Sequence, residues 1–224
     1  MLIPMLHCIG QVKVCDIPKY KNGELSVWYQ WTQNDTKRAG LPDLTQSSDS
    51  LHFRFLTETQ SVDIWTNDYK TFSGTFANFT TSKPCTNCLI KDESKFYSRK
   101  YPLDTATSRQ IYDYFGNLNI FKIPAQDSIE GWSSGCDGEV FSIEYSSPTH
   151  YSFKNYWTPS AFTDKIKYAA DIDSLVHLLE EKLQMPISFA AFIDVLPLGC
   201  YSAGGYMITC RTFKKPFIVE HYDF

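Results

Sequence analysis

The chain has 224 residues, 43% of them hydrophobic and 16% aromatic, with a formal net charge of −4. That length supports one sizeable core without metal or disulfide merely to fold. The lack of a basic excess argues against a nucleic-acid or anionic-membrane surface, and no apolar run reaches the ~18–20 residues of a membrane span.

The first residues, Met1 to Gln11, are short, apolar and end in small residues, with Cys8 and Gly10 at the −3 and −1 positions of a cleavage before Gln11. They read as the remnant of a signal peptide, residues 1–10, whose basic start lies upstream. Residues 11–50 read as an N-terminal arm carrying the aromatic cluster Trp28, Tyr29 and Trp31, with a linker over Gly40–Ser50. In 51–56, Leu51, Phe53 and Phe55 alternate with His52 and Arg54, the pattern of a half-buried strand. Further strands are expected at 62–65, 69–80 and 95–101. Asp104 or Thr105 caps a helix whose face holds Ile111, Phe115 and Leu118, and Gly116-Asn117 ends it.

In 139–157, Phe141, Ile143 and Tyr145 alternate with polar residues, and Tyr151, Phe153 and Trp157 do the same after a five-residue connection. This predicts a hairpin in which Tyr145 opposes Tyr151 and Ile143 opposes Phe153, with both apolar sets on one face. Glu144 then lies on the other face, within reach of Lys154 on the neighbouring strand. A second helix over about 165–184 buries Ile172, Leu175, Val176, Leu179 and Leu183. The tail is apolar and then Gly-rich. The succession strands, helix, strands, helix, strands predicts an α+β protein: an antiparallel sheet with two helices packed on one face, plus a C-terminal hairpin appendix. The core domain is placed at 51–185 and the appendix at 186–224.

Residues 126–195 hold 11 Asp+Glu against 4 Lys+Arg, and 81–125 hold 7 Lys+Arg against 4 Asp+Glu. The ordinary reading of such runs is solvated surface. Removal of Cys8 leaves six of the seven cysteines, an even number that suggests disulfides in an exported chain. Cys200 and Cys210 flank a Gly-rich turn and can face each other across a hairpin. Cys85 and Cys88 form a CxxC in a polar loop, and Cys15 and Cys136 are left for each other. The CxxC has a sharper reading as a redox pair, but no strand-CxxC-helix unit is visible. The cysteines do not have zinc spacing, and neither metal nor cofactor is expected.

The segments Leu118-x-x-Phe121-x-x-Pro124, Trp132-Ser-Ser-Gly-Cys-Asp137-Gly138, the strand carrying Glu144, and Tyr156-Trp157-Thr-Pro159 together resemble a group of uncharacterised exported bacterial α+β proteins. Their pattern runs helix, Phe-x-x-Pro, Asp-Gly, a strand ending in Glu and a strand ending in Trp-Ser-Pro; here Thr158 stands in place of the Ser. The resemblance covers about residues 50–180. It implies export and fold, and no activity, cofactor or catalytic residue.

Trp132, Asp137, Glu144 and Trp157 are therefore the candidate binding residues. A sharper reading makes Asp137 and Glu144 an acid/base pair flanked by two tryptophans, as in sugar hydrolysis, which requires a cleft between the carboxyls and one raised pKa. Ser202 lacks the Gly two positions before it that a nucleophile elbow needs. His177 sits between Asp173 and Glu181 at i−4 and i+4, as in a solvated helical cluster, and Asn34 and Asn78 match the glycosylation tripeptide. The expected function is a non-catalytic exported module, binding or structural, whose partner is a protein or glycan at the cell surface. The alternatives are a hydrolase using Asp137 and Glu144 and thiol–disulfide exchange at Cys85 and Cys88.

Overall fold

A computed structural model describes residues 13–84, 93–135 and 137–212. The elements run β1 (Val14–Asp16), α1 (Val27–Arg38), β2 (Leu51–Leu56), β3 (Gln60–Thr66), β4 (Ser73–Lys83), β5 (Phe96–Leu103), α2 (Thr105–Asn117), β6 (Val140–Ser146), β7 (His150–Trp157), α3 (Lys167–Leu183), α4 (Met185–Val195), β8 (Gly199–Ser202) and β9 (Ile208–Arg211). The protein is α+β, and all nine strands of the described residues join one sheet in the order β1-β7-β6-β2-β3-β4-β8-β9, with β5 also paired to β4. The pairings are antiparallel except that of β1 with β7, which is parallel.

Strand alternation builds the main core. Leu51, Phe53 and Phe55 of β2, Val62 and Ile64 of β3 and Phe141 and Ile143 of β6 share one sheet face, packed against Ile111 and Phe115 of α2 and Ile172, Leu175 and Leu179 of α3. Asp104 caps α2 as expected, its side chain accepting from the Thr107 amide at 2.8 Å, so one of the helix's orphan donors is satisfied. Gln184, in the left-handed region at φ 48°, ends α3, and Met185-Pro186 opens α4 in a new direction. A proline ring disfavours helical backbone before it and is tolerated in a first turn.

Three expectations are corrected. The sheet has helices on both faces, because α1 lies within the expected arm and covers the second face. There Trp28 and Tyr29 pack with Leu44 on Tyr151 and Phe153. Gly40–Ser50 is consequently no linker but a packed loop. The tail is not all hairpin: it begins with α4, and the β8/β9 hairpin extends the main sheet by pairing with Ser82 and Lys83 of β4.

The 139–157 hairpin forms, but one residue out of the expected register. Tyr145 opposes Ser152, Ile143 opposes Lys154 and Glu144 opposes Phe153. A one-residue slip sends a whole side-chain set to the other face, so Tyr151 and Phe153 point to the α1 side, away from Phe141 and Ile143. The physical cause is that this sheet is buried on both faces and needs apolar residues on each. Lys154 is thus not Glu144's partner; its Nζ donates to the carbonyls of Phe121 and Ile123 on the opposite side of the sheet.

Candidate functional site

The second face of the sheet carries charge where β2, β3 and β6 run side by side. Arg54 of β2 stands in direct register with Asp63 of β3 and with Glu144 of β6. Its guanidinium donates through Nε to Asp63 Oδ1 at 2.5 Å, through one terminal nitrogen to Glu144 Oε2 at 2.8 Å, and through the other to the Pro42 carbonyl at 2.9 Å. Arg54 and Glu144 are wholly buried, and Asp63 is 1% exposed. Glu144 Oε1 accepts from the Tyr151 hydroxyl at 2.6 Å and from Gln33 Nε2 at 2.8 Å, so α1 and β7 complete that carboxylate's shell. His52 bridges outward, with Nδ1 3.0 Å from Asp49 Oδ2 and Nε2 3.2 Å from Asp63 Oδ1.

The electrostatics follow from burial against pairing. Burial pushes the Asp63 carboxyl up, but Arg54 and His52 outweigh it and hold the group below the usual carboxylate range. Burial disfavours the Arg54 cation, and Asp63 and Glu144 more than restore it. The Tyr151 phenol is raised far above its ordinary range by burial and by the Glu144 charge. Asp63 Oδ1 takes both of its donors, while Asp63 Oδ2 is buried and accepts no hydrogen bond among the described residues.

Over this network lies a cleft of about 480 Å³, within the range of small-molecule sites. Its floor is His52, Asp63 and Trp65. One wall is the 41–49 loop, with Asp43 and Asp49, and the other is Thr75 and Lys100. The loop is fastened at several points. Lys13 Nζ donates to the carbonyls of Leu44 and Ser47, Ser146 Oγ donates to the Leu44 carbonyl at 2.7 Å, and Lys100 Nζ donates to the Gly40 carbonyl at 2.9 Å. Leu44 is fully buried. The wall is therefore preformed, which lowers the ordering cost of binding.

The sequence candidates fall elsewhere. Trp132 is half-buried against Tyr156 and Phe162 and donates through Nε1 to the Trp157 carbonyl at 2.9 Å. Trp157, at the end of β7, lies beside Phe162 and closes on the backbone at Gly135 and Gly138, where an added Cβ would meet its ring at 2.7 Å. Asp137 is exposed, and Glu144 is sealed beneath the cleft. The structure does not bring Asp137 and Glu144 to one cleft, and Glu144 has no oxygen left for a substrate.

Trp28 and Tyr29 are packed, leaving Trp31 of that cluster 57% exposed. Asn78 is buried, bonded to Gln60 and Ser188, so it presents no glycosylation site. His177 is exposed, near Asp173 and Glu180. Among the described residues no group of His, Cys, Asp and Glu side chains is placed to hold a metal.

Cys200 and Cys210 are registered partners across the β8/β9 hairpin and form a disulfide. Among the described residues Cys15, exposed on β1, has no disulfide partner. Its expected partner Cys136, Cys8 and the Cys85/Cys88 pair lie outside the described residues. Among the described residues no helix is long and apolar enough to cross a membrane.

Sequence reading missed His52, Arg54, Asp63 and Trp65. The available signal was a pair of ionisable residues, His52 and Arg54, on the presumed solvent face of one strand, facing Asp63 on the next across a short turn. No protein-family model, curated protein or solved structure matches the chain.

Proposed function

We propose that this protein is a non-catalytic exported binding module whose ligand site is the cleft between the 41–49 loop and the β2–β3 face. The observation that carries this reading is the pairing of a preformed cleft of about 480 Å³ with a buried ionic network directly beneath it. A buried ion pair is a costly way to stabilise a sheet, whereas it fixes polar groups in place for a ligand. Arg54 and Glu144 are fully engaged with protein partners, so the network suits positioning better than proton transfer. The Cys200–Cys210 disulfide supports export, since such bonds persist in oxidising compartments. The Phe-x-x-Pro, Asp-Gly, Glu and Tyr-Trp-x-Pro pattern supports kinship with the exported group it resembles. The candidate surface at Trp132 and Trp157 is more closed than expected, which moves the binding role to the cleft.

Binding is tested by titrating a small-molecule library into labelled protein and following amide and indole resonances. The expected result is a set of shifts clustered on His52, Asp63, Trp65 and the 41–49 loop, abolished by Gln46→Trp, which fills the cleft. Shifts confined to the surface around Trp31, or to Trp157, would defeat the assignment. Export is tested by fractionating cells that express the full chain and mapping peptides without reduction. Recovery of an intracellular protein with a reduced Cys200–Cys210 pair would remove it.

A further inference from the structure

Resting on the cleft as the binding site, we infer that its ligand carries a cationic donor group, an organic ammonium or guanidinium, seated between the carboxylates and Trp65. The argument is an inventory of hydrogen-bonding capacity. The basic groups in the floor of the cleft are already occupied. Arg54 gives its three directions to Asp63, Glu144 and Pro42, His52 lies between Asp49 and Asp63, and Lys100 donates to Gly40. Arg54 and His52 are thus committed to protein partners, and Lys100 on the outer wall, with one of its three ammonium hydrogens on Gly40, is the basic group among the described lining residues with donors to spare.

The unused capacity is of the accepting kind. Asp63 reaches the floor with Oδ2 buried and without a donor, a state that costs about 1–3 kcal/mol when nothing fills it. Asp43 engages Thr45 through Oδ1, and Asp49 engages Ser47 and His52 through Oδ2. Among the described residues no protein donor reaches the second oxygen of either. Among the described residues, three carboxylates thus line the cleft with spare acceptors, against one free lysine ammonium. Trp65, half-buried on the same floor, adds a π face, and cations over a tryptophan ring gain further attraction.

The test uses the full chain with four probes of similar length: agmatine and putrescine as cations, glutarate as an anion and butanediol as a neutral control. Dissociation constants come from calorimetry, and the site from the Trp65 indole and His52 resonances. The expected result is binding of agmatine and putrescine at these resonances. Trp65→Ala should weaken it roughly 5- to 30-fold, and Asp49→Asn about tenfold. Asp63 also holds Arg54 and Asp49 also holds His52, so both variants are read alongside Asp43→Asn, which leaves the Arg54 and His52 pairs intact. Equal or tighter binding of glutarate or butanediol at the same resonances would overturn the cationic assignment and leave the cleft as the site. Folded protein in which no probe moves any cleft resonance would overturn the cationic assignment and count against the cleft as well.

Discussion

Arg54 donates from each of its three guanidinium nitrogens to a protein acceptor, two of them carboxylates on flanking strands in direct register. Truncating one member of such a buried network leaves the others charged and unpaired. Arg54→Ala is therefore expected to destabilise the protein by about 3–5 kcal/mol in urea unfolding. The triple replacement Arg54→Met, Asp63→Asn, Glu144→Gln removes the charges together and should recover much of that loss while abolishing cleft binding. A triple variant no more stable than Arg54→Ala would show that the charges themselves hold the sheet.

The same residues set the pH limits. Asp63 is depressed in the folded state, so its contribution is complete above the unfolded Asp value of about 3.9 and is lost as pH falls through the lower folded value. Tyr151 and Tyr156 are raised, chiefly by burial, so their contribution is complete below about 10 and is lost as pH rises above that. Thermal unfolding followed from pH 2 to 11 should show a plateau between these limits. Asp63→Asn should flatten the acid limb and leave the alkaline limb in place.

At the scale of elements, legibility depended on how many faces a segment buries. Strand β2 and helices α2 and α3 each show a single apolar stripe with an unambiguous period and form where expected, but β2, expected half-buried, is buried on both faces because the 41–49 loop closes over His52 and Arg54. The β6/β7 hairpin has the same alternation, yet its register was misread because alternation does not say which core a face meets. Tyr151 and Phe153 look equivalent to Phe141 and Ile143 until α1 is known to cover the far side. Helix α1 was illegible for a related reason: its buried contribution is a few residues, among them Trp28 and Tyr29, in an otherwise polar stretch.

The Gly-rich turn and its flanking cysteines, by contrast, were readable from local chemistry alone. That hairpin is peripheral, and its disulfide joins residues 10 apart. Loop-closure entropy for a ring of that size is worth about 3 kcal/mol. Replacing Cys200 and Cys210 by serine should raise amide exchange within 199–211 and leave the exchange of β2, β3 and β6 unchanged. Uniformly faster exchange would mean that the hairpin folds as one unit with the sheet.

For the whole molecule, the consequence of a doubly covered sheet is that the candidate site is a junction rather than a surface feature. The 41–49 loop, Lys13, α1 and the six strands β2 to β7 all contribute to it, and no single segment of sequence displays it. Lys13, 31 positions before Leu44, fastens the loop from one side, while Ser146, 102 positions after it, does so from the other. Leu44 is the apolar anchor among these polar ties, buried against Tyr151 and Phe153. Truncating it leaves a cavity under the loop that its backbone bonds alone do not close, so Leu44→Ala should cost about 2–5 kcal/mol. Its effect on the cleft should exceed its effect on the main core. Amide exchange should rise through 41–49 and at His52 while Phe53, Phe115 and Leu175 keep their protection. Cleft binding should weaken because the wall must be ordered anew with each ligand. Lys13→Met removes two loop ties without a cavity and should reproduce the weaker binding at a smaller loss of stability. If both variants bind as tightly as the parent, the loop is a passive cover and the recognition lies wholly in the floor of His52, Asp63 and Trp65.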